Sequence, residues 1–271
     1  MIHKKIIYLL LLLSFFSLPA ATQEGKTKRA IVIGATSGMG RAVAKLLAKD
    51  GYTMGLAGRR VHLLQSLQKE IGTPSYIKQI DVSQHKKARE QLLELIDSMG
   101  GMDLILISVS AWDETQEQHT WQAEKAKLEV DLMGFWAMAH PAIAYFEKQQ
   151  AGHLVAISSL SGLRGSAHCP AYCGAKSFIS TYLEGVRNKM IQNNIPIYIT
   201  DIIPSWVDVE HTTYSEQPGT YWVTPLDKAA KQIFNAIKTK KKFAYISRRQ
   251  ILIALLLNIM PDWLFNWIGE L

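Results

Sequence analysis

The sequence predicts an α/β fold, a single domain on a doubly wound parallel sheet, and three observations carry that prediction. Short apolar strands alternate with helical periodicities over residues 28–246, with no linker-like stretch between them. Several strands are apolar at every position, as in Leu104–Ile107, which suits a strand covered on both faces. A glycine cluster separates the first strand from the first helix, where an open α/β sheet receives its ligands.

In chain order, residues 29–33 form a strand running into glycines, and 41–49 have helical spacing. The second strand covers 52–57 and the second helix 63–71. A third strand, 76–80, closes at Asp81 and leads to a helix over 88–99. Residues 104–107 are a buried strand, and 121–148 one long helix. A strand over 153–157, a helix over 178–191 and a strand over 196–202 follow. The last long helix is 226–238, and 244–246 is a short closing strand.

The 271 residues are 48% hydrophobic and 20% charged, which supplies a sizeable core and excludes a disordered chain. Two cysteines exclude a disulfide-stapled scaffold, and no repeat indicates a solenoid. The net charge is +7, but from Leu226 onward eight Lys/Arg face three acids, so the excess is local and no nucleic-acid partner is expected. At the other end, residues 6–23 are uncharged behind Lys4 and Lys5, and residues 1–24 suit a membrane anchor or a signal segment. Leu18 and Pro19 before Ala20 and Ala21 make a poor cleavage pattern, and the uncharged stretch is at the short limit for about 30 Å of hydrocarbon. A misassigned start is the remaining alternative. Residues 247–271 set Arg248 and Arg249 before an apolar run with Trp263 and Trp267 four apart, which suits a helix at a membrane interface or one docked on a subunit surface.

The cluster Gly34-Ala35-Thr36-Ser37-Gly38-Met39-Gly40 has a physical use. Glycines let the backbone approach a pyrophosphate, and the helix N-terminus offers N–H groups and the positive dipole end. Between strand and helix this predicts a dinucleotide, although the spacing is G-x-x-x-G-x-G rather than G-x-G-x-x-G. An NAD site places a carboxylate at the end of the second strand to accept from the ribose 2′-OH. Here that strand ends Gly58-Arg59-Arg60, and two guanidinium groups suit the 2′-phosphate of NADP(H). Asp81 suits the adenine amino group or a cap on the following helix.

Tyr172 and Lys176 lie four apart at a helix start and project from one face, and Ser159 follows the strand 153–157. A phenol is a poor acid or base at neutral pH unless an adjacent ammonium favours phenolate, and a serine hydroxyl can hold and polarise a carbonyl. Strand end and helix start bring the three to the carboxyl edge of the sheet.

In Gly34-x-x-x-Gly38-x-Gly40, Ile157-Ser158-Ser159 and Tyr172-Cys-Gly-Ala-Lys176, with Asp81-Val82 and Asp201-Ile-Ile-Pro204, the chain resembles a short-chain dehydrogenase/reductase of the three-glycine type over residues 28–245. The resemblance implies a Rossmann-like sheet, a Ser159–Tyr172–Lys176 catalytic set with Tyr172 as proton donor, and Lys176 on the nicotinamide ribose. It places Asp81 and Val82 beside adenine, and Thr36, Ser37, Met39, Ser108 and Val207 along the cofactor. It also implies a homodimer or homotetramer through the helices at 121–148 and 178–191. Four positions depart from the pattern. Ser110 and Ser205 replace glycines, and Val209 stands where a threonine often bonds the nicotinamide amide. Asp131 stands at the family's fourth catalytic residue, an asparagine whose carbonyl holds a water of the proton relay, and its charge would stabilise the Lys176 ammonium.

Cys169 and Cys173 flank Tyr172, but with His168 they fall short of a metal site, and the eight histidines have no paired spacing. Trp206, Tyr214, Tyr221 and Trp222 suit an apolar pocket or a packed lid. The expected protein is an NADP(H)-dependent oxidoreductase interconverting a ketone or aldehyde and an alcohol, its small-molecule substrate lipophilic in the manner of a lipid. It is expected at a membrane surface with the domain on the cytoplasmic side, where NADPH is supplied, or free in the cytoplasm if residues 1–24 are not native. The four departures leave a second reading, a catalytically weakened nucleotide-binding scaffold or sensor. The glycine spacing argues against an epimerase or dehydratase.

Overall fold

The structure is a computed structural model describing residues 27–111, 120–210, 220–247 and 249–268; the segment 1–24 and Tyr214 lie outside these residues. Its elements are β1 (Arg29–Ile33), α1 (Gly38–Lys49), β2 (Thr53–Gly58), α2 (Val61–Ile71), β3 (Ser75–Gln79), α3 (His85–Ser98) and β4 (Leu104–Ile107). Then come α4 (Trp121–Leu128), a π-helical turn (Glu129–Gly134), α5 (Phe135–Gln149), β5 (Gly152–Ile157), α6 (Pro170–Gln192) and β6 (Ile197–Ile203). The chain closes with β7 (Val207–Asp208), β8 (Thr224–Pro225), α7 (Leu226–Lys238), β9 (Phe243–Tyr245), α8 (Arg249–Ile259) and α9 (Asp262–Ile268).

Seven parallel strands form one sheet in the order β3-β2-β1-β4-β5-β6-β9. One face is covered by α3, α5 and α6, which bury Leu92, Phe146 and Leu183 with Ile105 and Leu154. The other is covered by α1, α2 and α7, which bury Val43, Leu64 and Ile233 with Val32 and Leu106. Burial on both faces is why β1 and β4 carry apolar residues without alternation. The strand order reverses at β1 and β4, whose ends lie level through the Ile33–Ile107 pairing, so a crevice opens outside Gly34 and Ser108.

Three helices differ from their sequence pattern. α1 starts at Gly38, because the glycine turn passes directly into it. α6 starts at Pro170, in keeping with Tyr172 and Lys176 at a helix start but well ahead of the apolar period over 178–191: proline at its first position favours the start, and the small residues of its first two turns carry no apolar period. The expected long helix is interrupted by the π-helical turn, whose extra width buries both Asp131 and Gly134. Gly134 packs so closely on Val82 that a Cβ there would lie 2.7 Å from its Cγ2.

The C-terminal helices have two unlike faces. Ala254 and Leu257 of α8 pack on Leu160 and Ile203, and the Ser205 N–H donates to Gln250 Oε1 at 3.1 Å. In α9, Asp262 pairs with Arg164 at 2.9 Å and Phe265 lies under the same guanidinium. The outward side is apolar and exposed: Leu252 is 72%, Ile259 79%, Trp263 70% and Trp267 80% accessible. No helix among the described residues is long and apolar enough to cross a membrane.

Candidate active site

The glycine turn is fixed by contacts no larger residue could make. Gly34 has φ +87°, and a Cβ on it would lie 2.0 Å from the Ser108 carbonyl oxygen. Ser108 is in turn held by its N–H donating to the Ile33 carbonyl at 2.9 Å. The first turn of α1 has no side-chain cap from Ser37. Instead the Gly38 N–H donates to Glu210 Oε2 at 2.9 Å, so a carboxylate from the β7 segment sits on the helix N-terminus. Beside it, Arg60 Nη2 donates to Thr36 Oγ1 at 2.8 Å and to Ser37 Oγ at 2.7 Å. Arg59 is exposed next to it, and its carbonyl accepts from Gln79 Nε2. Asp81 Oδ1 accepts from the Ser83 N–H and Oγ, a tight turn two residues on that precedes the cap position of α3.

Across the crevice, β5 and α6 bring Ser159, Tyr172 and Lys176 to the wall of one cavity of about 290 Å³. Ser159 is extended where β5 ends, and its Oγ accepts from the Ser161 N–H at 3.2 Å. Its side chain also bonds Tyr172. Lys176 is buried, with Nζ donating to the Ile157 carbonyl at 3.4 Å and lying 5.4 Å from the Tyr172 ring centre. Met39, Ser108 and Val207 line the same cavity, which therefore reaches from the glycine turn to Ser159, Tyr172 and Lys176.

The electrostatics differ from the sequence expectation at one point. Burial pushes the Tyr172 phenol well above its ordinary value; the Ser159 bond works against this, and the Asp131 charge adds to it. The lowering expected from the neighbouring ammonium does not prevail in this dense site. Lys176 is itself pushed down by burial, opposed by the carboxylates of Asp131 and Asp201. Asp131 has its side chain turned to the loop after β4: Oδ1 accepts from the Ala111 N–H at 2.8 Å and Oδ2 from Ser110 Oγ at 3.4 Å. Both serines at the departing glycine positions, Ser110 and Ser205, line the cavity, as does Val209.

Trp206 lines the cavity, whereas Tyr221 and Trp222 pack edge to face outside its wall, with Arg249 over Tyr221. The sequence pattern did not assign Ile253, Leu257 and Phe265 to the pocket, yet they form its far wall with Leu160. Ile253 and Leu257, one helical turn apart, were the available signal, but an apolar stripe does not say what it faces. The Cys169 and Cys173 sulfurs lie 3.8 Å apart and form no disulfide.

The model of the short chain dehydrogenase family matches residues 28–218. The chain belongs to this family. An uncharacterized oxidoreductase from Myxococcus xanthus is 30% identical over 72% of this chain and 78% of its own length. Another from Mycobacterium tuberculosis is 29% identical over 70% and 78%. Among solved structures, this short-chain dehydrogenase shares its fold with an acetoin dehydrogenase from Salmonella typhimurium (TM-score 0.68, 19% identity, 81% of this chain and 94% of that one). An alcohol dehydrogenase from Thermococcus sibiricus, complexed with 5-hydroxy-NADP, has a TM-score of 0.67 at 21% identity over 81% and 96%.

Proposed function

We propose that this short-chain dehydrogenase is an NADP(H)-dependent oxidoreductase interconverting a ketone or aldehyde and an alcohol on a lipophilic substrate. The observation carrying this reading is the single cavity that joins the glycine turn to Ser159, Tyr172 and Lys176. The turn suits a dinucleotide because it already receives an anionic group, the Glu210 carboxylate on the Gly38 N–H. Gly34, Thr36, Ser37, Gly38, Met39 and Gly40 would cradle the phosphates, with Ser108 and Val207 further along. When bound, the nicotinamide would supply hydride to the carbonyl carbon or take it from the carbinol carbon of the alcohol.

The protein's own groups then act on the oxygen. Ser159 Oγ donates to it and fixes its position, and the Tyr172 hydroxyl gives it a proton. The phenol is protonated at neutral pH, as reduction requires, and burial raises its pKa further. The Lys176 ammonium beside the ring stabilises the phenolate left behind. Asp131 holds the loop carrying Ser110 against this centre.

NADP(H) rather than NAD is supported by Arg60 reaching the turn hydroxyls, by Arg59 beside it, and by β2 ending without a carboxylate. A lipophilic substrate is supported by the wall of Leu160, Trp206, Ile253, Leu257 and Phe265. The exposed apolar side of α8 and α9 supports contact with a membrane surface, and use of NADPH would favour its cytoplasmic side. Association of copies through α5 and α6 is supported by the half-exposed Trp136 beside a groove lined by His140, Tyr182 and Val186.

NADPH oxidation by the full chain against ketones running from small and polar to long-chain and ring-bearing tests the reading. Turnover is expected to rise with substrate hydrophobicity and to be much slower with NADH. Turnover confined to small polar ketones contradicts the lipophilic assignment, and equal use of NADH contradicts the cofactor. Nucleotide binding without turnover of any carbonyl supports the scaffold reading instead.

A further inference from the structure

Lys176 feels the charges of two buried carboxylates, Asp131 and Asp201. Asp131 approaches from the π-helical turn, while Asp201 stands on β6 beneath the catalytic set with no solvent exposure. Asp201 Oδ1 accepts from Ser158 Oγ at 2.6 Å, and Oδ2 has no hydrogen-bond partner in bonding geometry among the described residues. A carboxylate in such a place is costly unless opposite charges compensate it. The compensating charges are Arg187 and Lys176, with Ser180 close by; Tyr245 also faces it, and burial still raises its pKa. Arg187 is committed to backbone carbonyls, those of Ile199 at 3.3 Å and Lys242 at 3.0 Å, and faces Glu184 as well.

Ser158 is the residue immediately before Ser159. Its N–H donates to the Ile202 carbonyl at 2.9 Å and its hydroxyl to Asp201. On the other side, Lys176 Nζ donates to the Ile157 carbonyl. The stretch Ile157-Ser158-Ser159 is therefore gripped by an ammonium at its first residue and by a carboxylate at its second, leaving the third hydroxyl to face the cavity. We infer that Asp201 is a positioning residue for the catalytic centre, fixing the Ser159 strand end through Ser158 and holding the Lys176 ammonium by its charge.

The inference deepens the proposed carbonyl–alcohol chemistry and rests on it for its kinetic consequence, but its main test needs neither cofactor nor substrate. Lysine side chains of the full chain are labelled with ¹³C and titrated by NMR, with Lys176→Arg assigning the Lys176 signal. The groups facing that ammonium are Asp131, Asp201 and the Tyr172 ring. Asp201→Asn keeps the shape and removes one negative charge, so Lys176 is expected to lose its proton about one pH unit lower. In turnover, the alkaline limb for reduction should move to lower pH by the same amount. Ser158→Ala leaves the charge in place, so it should leave the Lys176 titration unmoved while kcat falls several-fold.

A folded Asp201→Asn protein with an unshifted Lys176 titration overturns the inference. If Asp201→Asn does not fold, Ser158→Ala decides, and an unchanged kcat there overturns it. Absence of turnover in the parent chain contradicts the proposed function, whereas the titration on the cofactor-free chain still judges Asp201.

Discussion

The carboxyl edge of the sheet is built in two ways. On the β1 side, seven consecutive residues make the turn, and the contacts that demand glycine come from the level neighbour Ser108 at Gly34 and from the Gly34 carbonyl at Gly40. On the β6 side, the cavity wall is assembled from Leu160, Trp206, Ile253 and Phe265, which are far apart in the chain and meet only when α8 and α9 fold back. The first region is rigid in its backbone requirements and tolerant of little. The second is defined by side-chain volume, and its members can change without breaking the turn. A half set by local geometry, proposed for the nucleotide, thus faces a half set by long-range packing, proposed for the substrate.

The largest expected effect lies on the β1 side. Gly34→Ala puts a Cβ into the Ser108 carbonyl at a positive φ, so it should cost more than about 2 kcal/mol of stability and abolish nucleotide binding. Gly185→Ala, in α6 with nothing within 4 Å of its added Cβ, should stabilise by about 0.5–1 kcal/mol. Thermal unfolding of both variants checks the contrast; equal melting temperatures would break it.

Next in size is the choice of cofactor. Arg60→Ala should weaken NADPH binding about tenfold and leave NADH binding unchanged, since only the former offers a 2′-phosphate. Fluorescence titration separates this from a general loss of the turn, which would weaken both nucleotides alike. On the substrate side, Phe265→Ala should raise KM several-fold for bulky carbonyls while leaving small ones and NADPH affinity unaffected. A matching loss of NADPH affinity would mean that the two halves are not separable.

The smallest effect is expected where the halves touch. Glu210 lies on the Gly38 N–H that a pyrophosphate would use, so Glu210→Gln should tighten NADPH binding a few-fold. Weaker binding in that variant would instead make Glu210 part of the cradle.

The same division explains what could be read from the chain alone. The sheet, its glycine turn and the i, i+4 pair Tyr172 and Lys176 are short-range patterns, and the structure brings them to one edge. Asp131 stood out because its type departs from the family pattern, and its carboxylate is occupied with the Ala111 N–H. The role of Ile253, Leu257 and Phe265 was not legible, because an apolar stripe gives a helix a buried face without naming its partner. Glu210 was not legible because it acts on Gly38 from far along the chain, and Asp201 stood in the sequence only as part of a family segment, with nothing to tie it to Ser158. The direction of the Tyr172 shift needed the density around the ring, which no spacing reports.

The most direct measurement is NADPH binding and carbonyl turnover side by side on the full chain and on Tyr172→Phe. Both proteins are expected to bind NADPH equally within twofold, while the variant loses turnover by about a thousandfold with its proton donor removed. Comparable turnover in the variant, or failure of the parent chain to bind NADPH at all, would contradict this expectation.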